Sequence, residues 1–298
     1  MPSNRLALVL AFFSASALPG VAATAQQPAW SAVENALGRN GIPQAGNVMR
    51  FNFPRTDLTV RVRGVPLAPA FALGGWVAFL PIGGGQVMAM GDLVLLDSEV
   101  SAAMSALQAG GVEQSALHNH LLNESPHVMY LHVSAHGDPL VIATAIRAAL
   151  VTSATPLGAL RPAAAPSAVA LDTAGIAHAL GVAGRLNGAV YQVSIARSET
   201  IVEMGQQLPP SMGVATAINF QPTGRGKAAV TGDFVLRGSE VNPVIRALKK
   251  NAIDVTALHS HLIDEEPRLY FMHFWANDDA VKLARGLREA LDQAKSSH

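Results

Sequence analysis

The chain has 298 residues, carries no cysteine and has a formal net charge of zero at pH 7. The balanced charge gives no electrostatic case for nucleic-acid binding, and the lack of cysteine excludes a disulfide framework or a lipid-attachment cysteine. Half of the residues are apolar and 14% are charged, which is a globular composition without a disordered block.

The first 25 residues have the pattern of a secretory signal peptide. A basic start with Arg5 precedes the apolar run LALVLAFFSASAL, and the ATA at 23–25 is typical of a cleavage site. The run is too short to span a bilayer comfortably, although an N-terminal membrane anchor is the alternative. We therefore expect a mature protein that begins at Gln26, is periplasmic or secreted, and has no membrane span after signal cleavage.

The periodicity of apolar residues over roughly the next 130 positions predicts an α+β unit. Several strands separated by Gly- and Pro-rich turns are followed by a helix, a hairpin and a second helix. The predicted elements are, in chain order, helix WSAVENALGR, strands MRFNF, LTVRVR, WVAFLPI and VMAMGDLVLL, helix SEVSAAMSALQAGG with Ser98 as its candidate cap, strands SALHNHL and HVMYLHVSA, and helix PLVIATAIRAALV.

This plan occurs twice in the chain. Residues 91–132 align with 232–273 without a gap, and 17 of 42 positions are identical. A self-match of this length indicates duplication of a structural unit. We predict two tandem copies of one α+β unit, each with a mixed or antiparallel sheet and two main helices. The predicted organisation is a signal peptide at 1–25, a first repeat domain at 26–155, a Pro- and Ala-rich linker at 156–171 and a second repeat domain at 172–298.

Each repeat carries His-x-His, a Glu four residues later and a third His eight residues after the Glu. Residues two apart on a strand share a face, and a tight turn near Glu124 would place His132 opposite His118. Three imidazoles and a carboxylate suit a divalent transition metal: zinc, iron, manganese, nickel or copper(II). The predicted ligands are His118, His120, Glu124 and His132 in the first repeat and His259, His261, Glu265 and His273 in the second.

The spacing leaves open whether each repeat holds its own metal site or whether a single or joint site forms at a pseudo-twofold interface. Other polar residues also recur in both repeats. Asp92 and Asp233 are interpreted as turn residues. Glu99 and Glu240 suit either the positive end of a helix or acceptors that orient ligand histidines. The remaining recurring pair, interpreted as surface salt bridges in preference to anion-binding residues, is Arg55 and Arg197.

Two families share parts of this pattern. The His-x-His-x3-Glu string resembles the first metal motif of the cupins, but only locally, because a cupin is an all-β barrel. The pattern from Gly91 to His132, repeated from Gly232 to His273, resembles the LppY/LpqO-type family of exported bacterial proteins. That resemblance covers nearly the whole mature chain. It implies a duplicated domain and export, and it implies no established reaction.

The sequence thus predicts an exported metal-binding protein that serves storage, delivery or sensing. The alternative is a metal-dependent enzyme, either a hydrolase or an oxygenase, with a small-molecule substrate at an open metal position. A pocket lined by Trp76 or Arg55 would favour the enzyme, although no catalytic residue is assigned. A further alternative is an interaction domain whose histidines respond to pH.

Overall fold

The structure is a computed structural model that describes residues 28–158 and 170–294. The predicted signal peptide and most of the predicted linker lie outside the described residues. The first repeat consists of α1 (Trp30–Leu37), β1 (Ile42–Gln44), β2 (Val48–Pro54), β3 (Arg61–Val62), β4 (Val65–Pro66), α2 (Pro69–Ala72), β5 (Gly74–Gly83), β6 (Gln86–Leu96), α3 (Asp97–Ala109), β7 (Glu113–His118), β8 (Glu124–Ser125), β9 (Val128–Gly137) and α4 (Pro139–Leu150).

The second repeat follows the same order. It consists of α5 (Thr173–Leu180), β10 (Arg185–Asn187), β11 (Val190–Ala196), β12 (Val202–Glu203), β13 (Gln206–Gln207), a 3-10 turn (Pro210–Met212), β14 (Ala215–Gly224), β15 (Lys227–Arg237), α6 (Gly238–Lys250), β16 (Asp254–His259), β17 (Leu269–Asp279) and α7 (Ala280–Leu291). The predicted α+β class and the duplication are confirmed. No helix in the described ranges is long and apolar enough to cross a membrane.

Each repeat is built on one six-stranded antiparallel sheet. The strand order is β1-β2-β5-β6-β9-β7 in the first repeat and β10-β11-β14-β15-β17-β16 in the second. The two orders are equivalent, and in both sheets the strand that ends at the first histidine of the His-x-His motif lies at one edge. Its neighbour in each sheet is the long strand that carries the third histidine.

The sheets pack face to face, so the molecule has four layers: helices, sheet, sheet, helices. Side chains alternate between the two faces of β6, and Val87 and Leu93 pack under the helices of their own repeat. Met88 and Met90 point the other way and share a buried cluster with Leu269 and Phe271 of the second repeat. Burial of apolar side chains of this size contributes roughly 1.5–3 kcal/mol each, so the inter-sheet layer stabilises both repeats together.

Carboxylates accept hydrogen bonds from backbone groups at the start of the longer helices. The Asp138 side chain accepts hydrogen bonds from Leu140 N and Val141 N at the start of α4. The sequence predicted Ser98 as the cap of α3, and this prediction is wrong. The helix begins at Asp97, after Leu96 at the cap position. The Glu99 carboxylate accepts a hydrogen bond from Leu96 N at 2.8 Å, which gives this backbone donor an acceptor.

The register of the histidine strands differs from the predicted one. His118 pairs with Tyr130, while His132 pairs with Ala116, and a bulge lies further along the strand, between Gln114 and Ala116. The segment between β7 and β9 is also no tight turn, since β8 within it pairs with β3. The second repeat has the same register: His259 is opposite Phe271, and His273 is opposite Ala257.

A candidate metal centre between the sheets

Six histidines, three from each repeat, meet between the two sheets. The ring centroids of His118 and His259 lie 3.5 Å apart. Two further close pairs across the interface are His132 with His261 at 3.7 Å and His120 with His273 at 3.7 Å. The inward faces of the two sheets thus bring together the imidazoles that the sequence singled out, and they do so across the repeat interface.

Reciprocal hydrogen bonds hold the two His-x-His segments against each other. Ser115 Oγ donates to His261 O at 2.5 Å, and Thr256 Oγ1 donates to His120 O at 2.6 Å. Ser115 and Thr256 occupy equivalent positions in the repeats, so the two bonds are related by an approximate twofold axis. Each hydroxyl therefore fixes the backbone of the other repeat beside a cluster histidine.

Aromatic rings orient the second histidine of each motif. The His120 ring stacks on Tyr130 with centroids 3.3 Å apart, and the His261 ring stacks on Phe271 at 3.5 Å. Both aromatic residues lie two positions before the third histidine of their repeat, on the same face of the strand. This spacing explains how one long strand both supplies a candidate ligand and supports another.

Two aspartates, Asp92 buried and Asp233 partly buried, complete the cluster, which corrects their interpretation as turn residues. Asp92 lies in the middle of β6 directly opposite His132, and Asp233 lies in β15 opposite His273. Asp92 carboxylate oxygens lie 3.9 Å from His120 Nε2 and 3.9 Å from His132 Nε2. The sequence offered a signal for this placement, because Gly-Asp recurs at the constant offset inside an otherwise apolar strand.

The aspartate of the second repeat has the same surroundings. Asp233 oxygens lie 3.5 Å from His261 Nε2 and 4.0 Å from His273 Nε2. Four groups of potential ligand atoms, each within 4.8 Å of one another, could hold a metal ion: His118, His132, His259 and His261; His118, His120 and His273; Asp92, His120 and His132; Asp233, His261 and His273. The first two groups draw on both repeats. We call these six histidines and two aspartates the joint cluster.

Burial favours the neutral form of every member of the joint cluster. Burial lowers the pKa of His118 to about 4, and burial followed by the charge of His118 lowers that of His273 to about 3. Burial raises the pKa of Asp92 to about 8, against the opposing effect of the Arg50 guanidinium. The pKa of Asp233 is raised well above its usual range by burial and by Asp92. Neutral imidazoles are the form that binds metals.

The two predicted glutamate ligands lie apart from these groups. Glu124 Oε1 accepts a hydrogen bond from Val128 N at 3.1 Å. Glu265 Oε1 accepts one from Leu269 N at 2.8 Å, and its Oε2 accepts one from Arg268 at 3.1 Å. Each carboxylate thus closes the loop that precedes the long strand, and the aspartates are the carboxylates that meet the imidazoles.

The recurring arginines form buried ion pairs within each repeat, which corrects their interpretation as surface salt bridges. Arg55 is fully buried and donates to Glu99 at 2.6 Å and to Asp57 at 2.9 Å. Arg197 donates to Glu240 at 2.8 Å in the same way. Glu99 therefore links the start of α3 to the end of β2, and it does not orient a cluster histidine.

Comparison with known proteins identifies the family. The profile described as Domain of Unknown Function (DUF1259) matches residues 31–152 and again 174–293, and the chain belongs to this family of duplicated domains. The match carries no activity, and it leaves the LppY/LpqO name a prediction.

Similarity beyond the family is weak. No curated protein matches the chain. Among solved structures, the chain is similar to the trimeric bacterial microcompartment shell protein PduB at 14% identity and a TM-score of 0.22, over 88% of this chain and 97% of that one. It is similar to EtuB from Clostridium kluyveri at 10% identity and a TM-score of 0.20, over 86% and 91%. Scores this low support no argument about fold or function.

Proposed function

We propose that this protein is an exported metal-binding protein whose joint cluster holds a divalent transition metal. The ligand set is imidazole nitrogen and carboxylate oxygen, which suits zinc, iron, manganese, nickel or copper(II). Export rests on the signal-peptide pattern of the first 25 residues. Storage, delivery or sensing of the metal outside the cytoplasm is the function that this combination supports best.

The observation that carries the proposal is a set of buried polar atoms that converge without hydrogen-bond partners. Leaving such an atom unsatisfied costs about 1–3 kcal/mol, and a fold that gathers several at one point needs a compensating interaction. A bound cation would satisfy them together. Within the described residues these atoms include Asp92 Oδ1, His120 Nε2, Asp233 Oδ1, both ring nitrogens of His259, His261 Nε2 and His273 Nε2.

The cluster offers two equivalent sets of one carboxylate and two imidazoles. Asp92 with His120 and His132 forms one set, and Asp233 with His261 and His273 forms the other. His118 and His259 lie between the sets, where either is available to both. We therefore propose a joint centre with capacity for up to two ions, in which the carboxylates supply negative charge and the imidazoles supply the remaining ligands.

A metal-dependent hydrolase or oxygenase is the second candidate. Two imidazoles and one carboxylate on a metal leave positions open for water, oxygen or substrate. A small space beside His132 and His261, lined also by Trp76, favours this candidate. Arg55 does not contribute to such a pocket, because its guanidinium is occupied by Glu99 and Asp57.

Elemental analysis of the protein purified without a histidine tag tests the proposal. We expect up to about two equivalents of one transition metal per chain, on the ligand count above. The quadruple variant His118→Ala, His120→Ala, His259→Ala and His261→Ala should contain none. A matched control is His127→Ala, because that imidazole is exposed and bonded to Asp97. If the native chain takes up none of the five candidate metals, the proposed function is wrong.

Export is tested separately by cell fractionation. The full chain should appear in the periplasm or medium and should be shortened at its N-terminus, whereas a chain lacking residues 1–25 should remain in the cytoplasm. Retention of the full chain in the cytoplasm would contradict export and leave the metal centre unaffected.

A further inference from the structure

The approximate twofold symmetry of the joint cluster is broken on one side. A cavity of about 10 Å³ lies against the paired rings of His132 and His261. This volume is room for about one water molecule. The other lining residues are Trp76, Met90, Gly91, Val133, Met212, Gly213, Val214, Leu262 and Phe271.

Two equivalent positions on the opposite side of the cluster carry larger side chains. Phe71 stands where the second repeat has Met212, and it packs edge to face on Trp275 at 6.1 Å. Tyr130 stands where the second repeat has Phe271, and its hydroxyl donates to Ala72 O at 2.7 Å. All three aromatic side chains are buried in one cluster. At these two positions the opposite side, which we call the filled side, has a larger ring and an additional hydroxyl.

Trp76 lines the cavity and lies close to the second repeat. A Cβ built on Gly213 would lie 2.7 Å from Trp76 Cη2, and Gly213 has a φ of +86°. Glycine thus permits both the turn and the close approach of the indole. The Arg50 guanidinium lies over that ring at 4.0 Å. The indole therefore contacts both the guanidinium and the backbone of the second repeat.

We propose that this cavity holds a small uncharged ligand, of the size of water or dioxygen, which binds the metal beside His132 and His261. The class follows from the lining: thioether, indole, phenyl and aliphatic groups exclude a hydrated ion, and the imidazoles are the polar groups that face the space. The volume excludes a larger organic molecule. The ligand role rests on the proposed metal centre, whereas the cavity itself does not.

The chain supplies its own matched variants for a test. Phe271→Tyr places on the open side the hydroxyl that Tyr130 already carries on the filled side. Met212→Phe reproduces Phe71 and fills the same space, so that it replaces the first variant if that one does not fold. Tyr130→Phe is the reciprocal control, because it removes a hydroxyl from the filled side and leaves the cavity unchanged.

Water access is measured first on the metal-free protein, by deuterium exchange at the imidazole C2–H group. His132 and His273 are equivalent and nearly equally buried, at 4% and 3% exposed, but only His132 belongs to the lining. We expect Phe271→Tyr to slow exchange at His132 by about threefold or more, with His273 unchanged. Tyr130→Phe should leave His132 unchanged. If His132 exchanges at the same rate in the native protein, in Phe271→Tyr and in Met212→Phe, the inference of a water-accessible cavity is wrong.

Ligand binding is then measured on the cobalt(II)-loaded protein with cyanide, which enters as the uncharged acid at neutral pH. We expect cyanide to change the visible spectrum of native protein and of Tyr130→Phe, and not that of Phe271→Tyr or Met212→Phe. Cobalt uptake with no response to cyanide, or an equal response in all variants, would overturn the ligand site alone. Failure to take up cobalt would overturn the proposed metal centre and this ligand role with it.

Discussion

The imidazoles of His118 and His259, which occupy equivalent positions in the two repeats, lie 3.5 Å apart from centroid to centroid. Each ring also lies close to the third histidine of its own repeat, at 5.0 Å in both cases. The two rings therefore join the halves of the cluster, and neither half is isolated from the other. Loss of the imidazoles of one repeat should therefore perturb the whole centre.

The double variant His118→Ala with His120→Ala tests whether the centre is joint. Groups that could hold a metal include ligands of both repeats, so we expect this variant to lose metal from the whole cluster, measured by elemental analysis and by titration with zinc. His127→Ala should keep the native content. Retention of half the native metal at unchanged affinity would contradict a joint centre and indicate separate sites.

Substituting each recurring carboxylate separates ligands from loop residues. Asp92→Asn and Asp233→Asn remove the carboxylates that meet imidazoles. We expect each to weaken metal binding by at least roughly 100-fold, more than is typical for partners outside the ligand set. Glu124→Gln and Glu265→Gln keep the Oε1 acceptor for the loop backbone and should bind metal normally in calorimetry. Weak metal binding by the two glutamate variants and normal binding by the two aspartate variants would show instead that the glutamates are the ligands.

The metal-free protein should be most stable near pH 6.5. The folded pKa of His118 is lowered to about 4 and that of His273 to about 3, both from 6.5. Below pH 6.5 the unfolded chain binds protons that the folded chain does not. Stability therefore falls as the pH is lowered, by up to about 1.4 kcal/mol per pH unit for each such histidine.

Asp92 has the opposite effect on stability. Its folded pKa is raised from 3.8 to about 8, so the folded chain keeps a proton that the unfolded chain loses, and stability falls as the pH rises towards 8. Below pH 6.5 the effect of the more numerous histidines on stability is larger than that of Asp92. Urea unfolding in the presence of a chelator, between pH 4.5 and 8, measures this profile. Asp92→Asn should weaken the decline above pH 6.5, and a flat profile would contradict neutral buried histidines.

Breaking the buried ion pair in the first repeat should destabilise the fold without affecting the metal. Glu99→Ala leaves the buried Arg55 guanidinium with only Asp57 as its carboxylate partner, and we expect a loss of about 3 kcal/mol in the free energy of unfolding. The exposed pair Arg63–Asp254 is the control, and Arg63→Ala should cost less than about 1 kcal/mol. A loss of metal from folded Glu99→Ala would show that Glu99 also supports the centre.

Sequence periodicity was sufficient to predict the α+β class and the duplication, because both depend on local patterns and on self-similarity. The face of His118 and His132 was also predictable from strand alternation. Their pairing was not, because the length of the connection between β7 and β9 depends on the tertiary pairing of β8 with β3. The observed register differs from the predicted one by two positions, so each side chain keeps its face but has a different partner.

The choice between carboxylates was beyond local reasoning for a different reason. Glu124 is adjacent to the histidines in sequence, whereas Asp92 reaches them only because β6 pairs with β9. The joining of both repeats in one cluster likewise follows from packing of the sheets. That packing leaves no local signal, although an aspartate in the middle of a largely apolar strand in both repeats is the residue that local propensity explains least.

The most direct test of a centre shared by both repeats is anomalous X-ray diffraction from crystals of the tag-free protein loaded with zinc. We predict an anomalous peak between the sheets, within bonding distance of Asp92 or Asp233 and of histidines from both repeats. A peak confined to Glu124 or Glu265, or no peak at the joint cluster in zinc-loaded crystals, would contradict it.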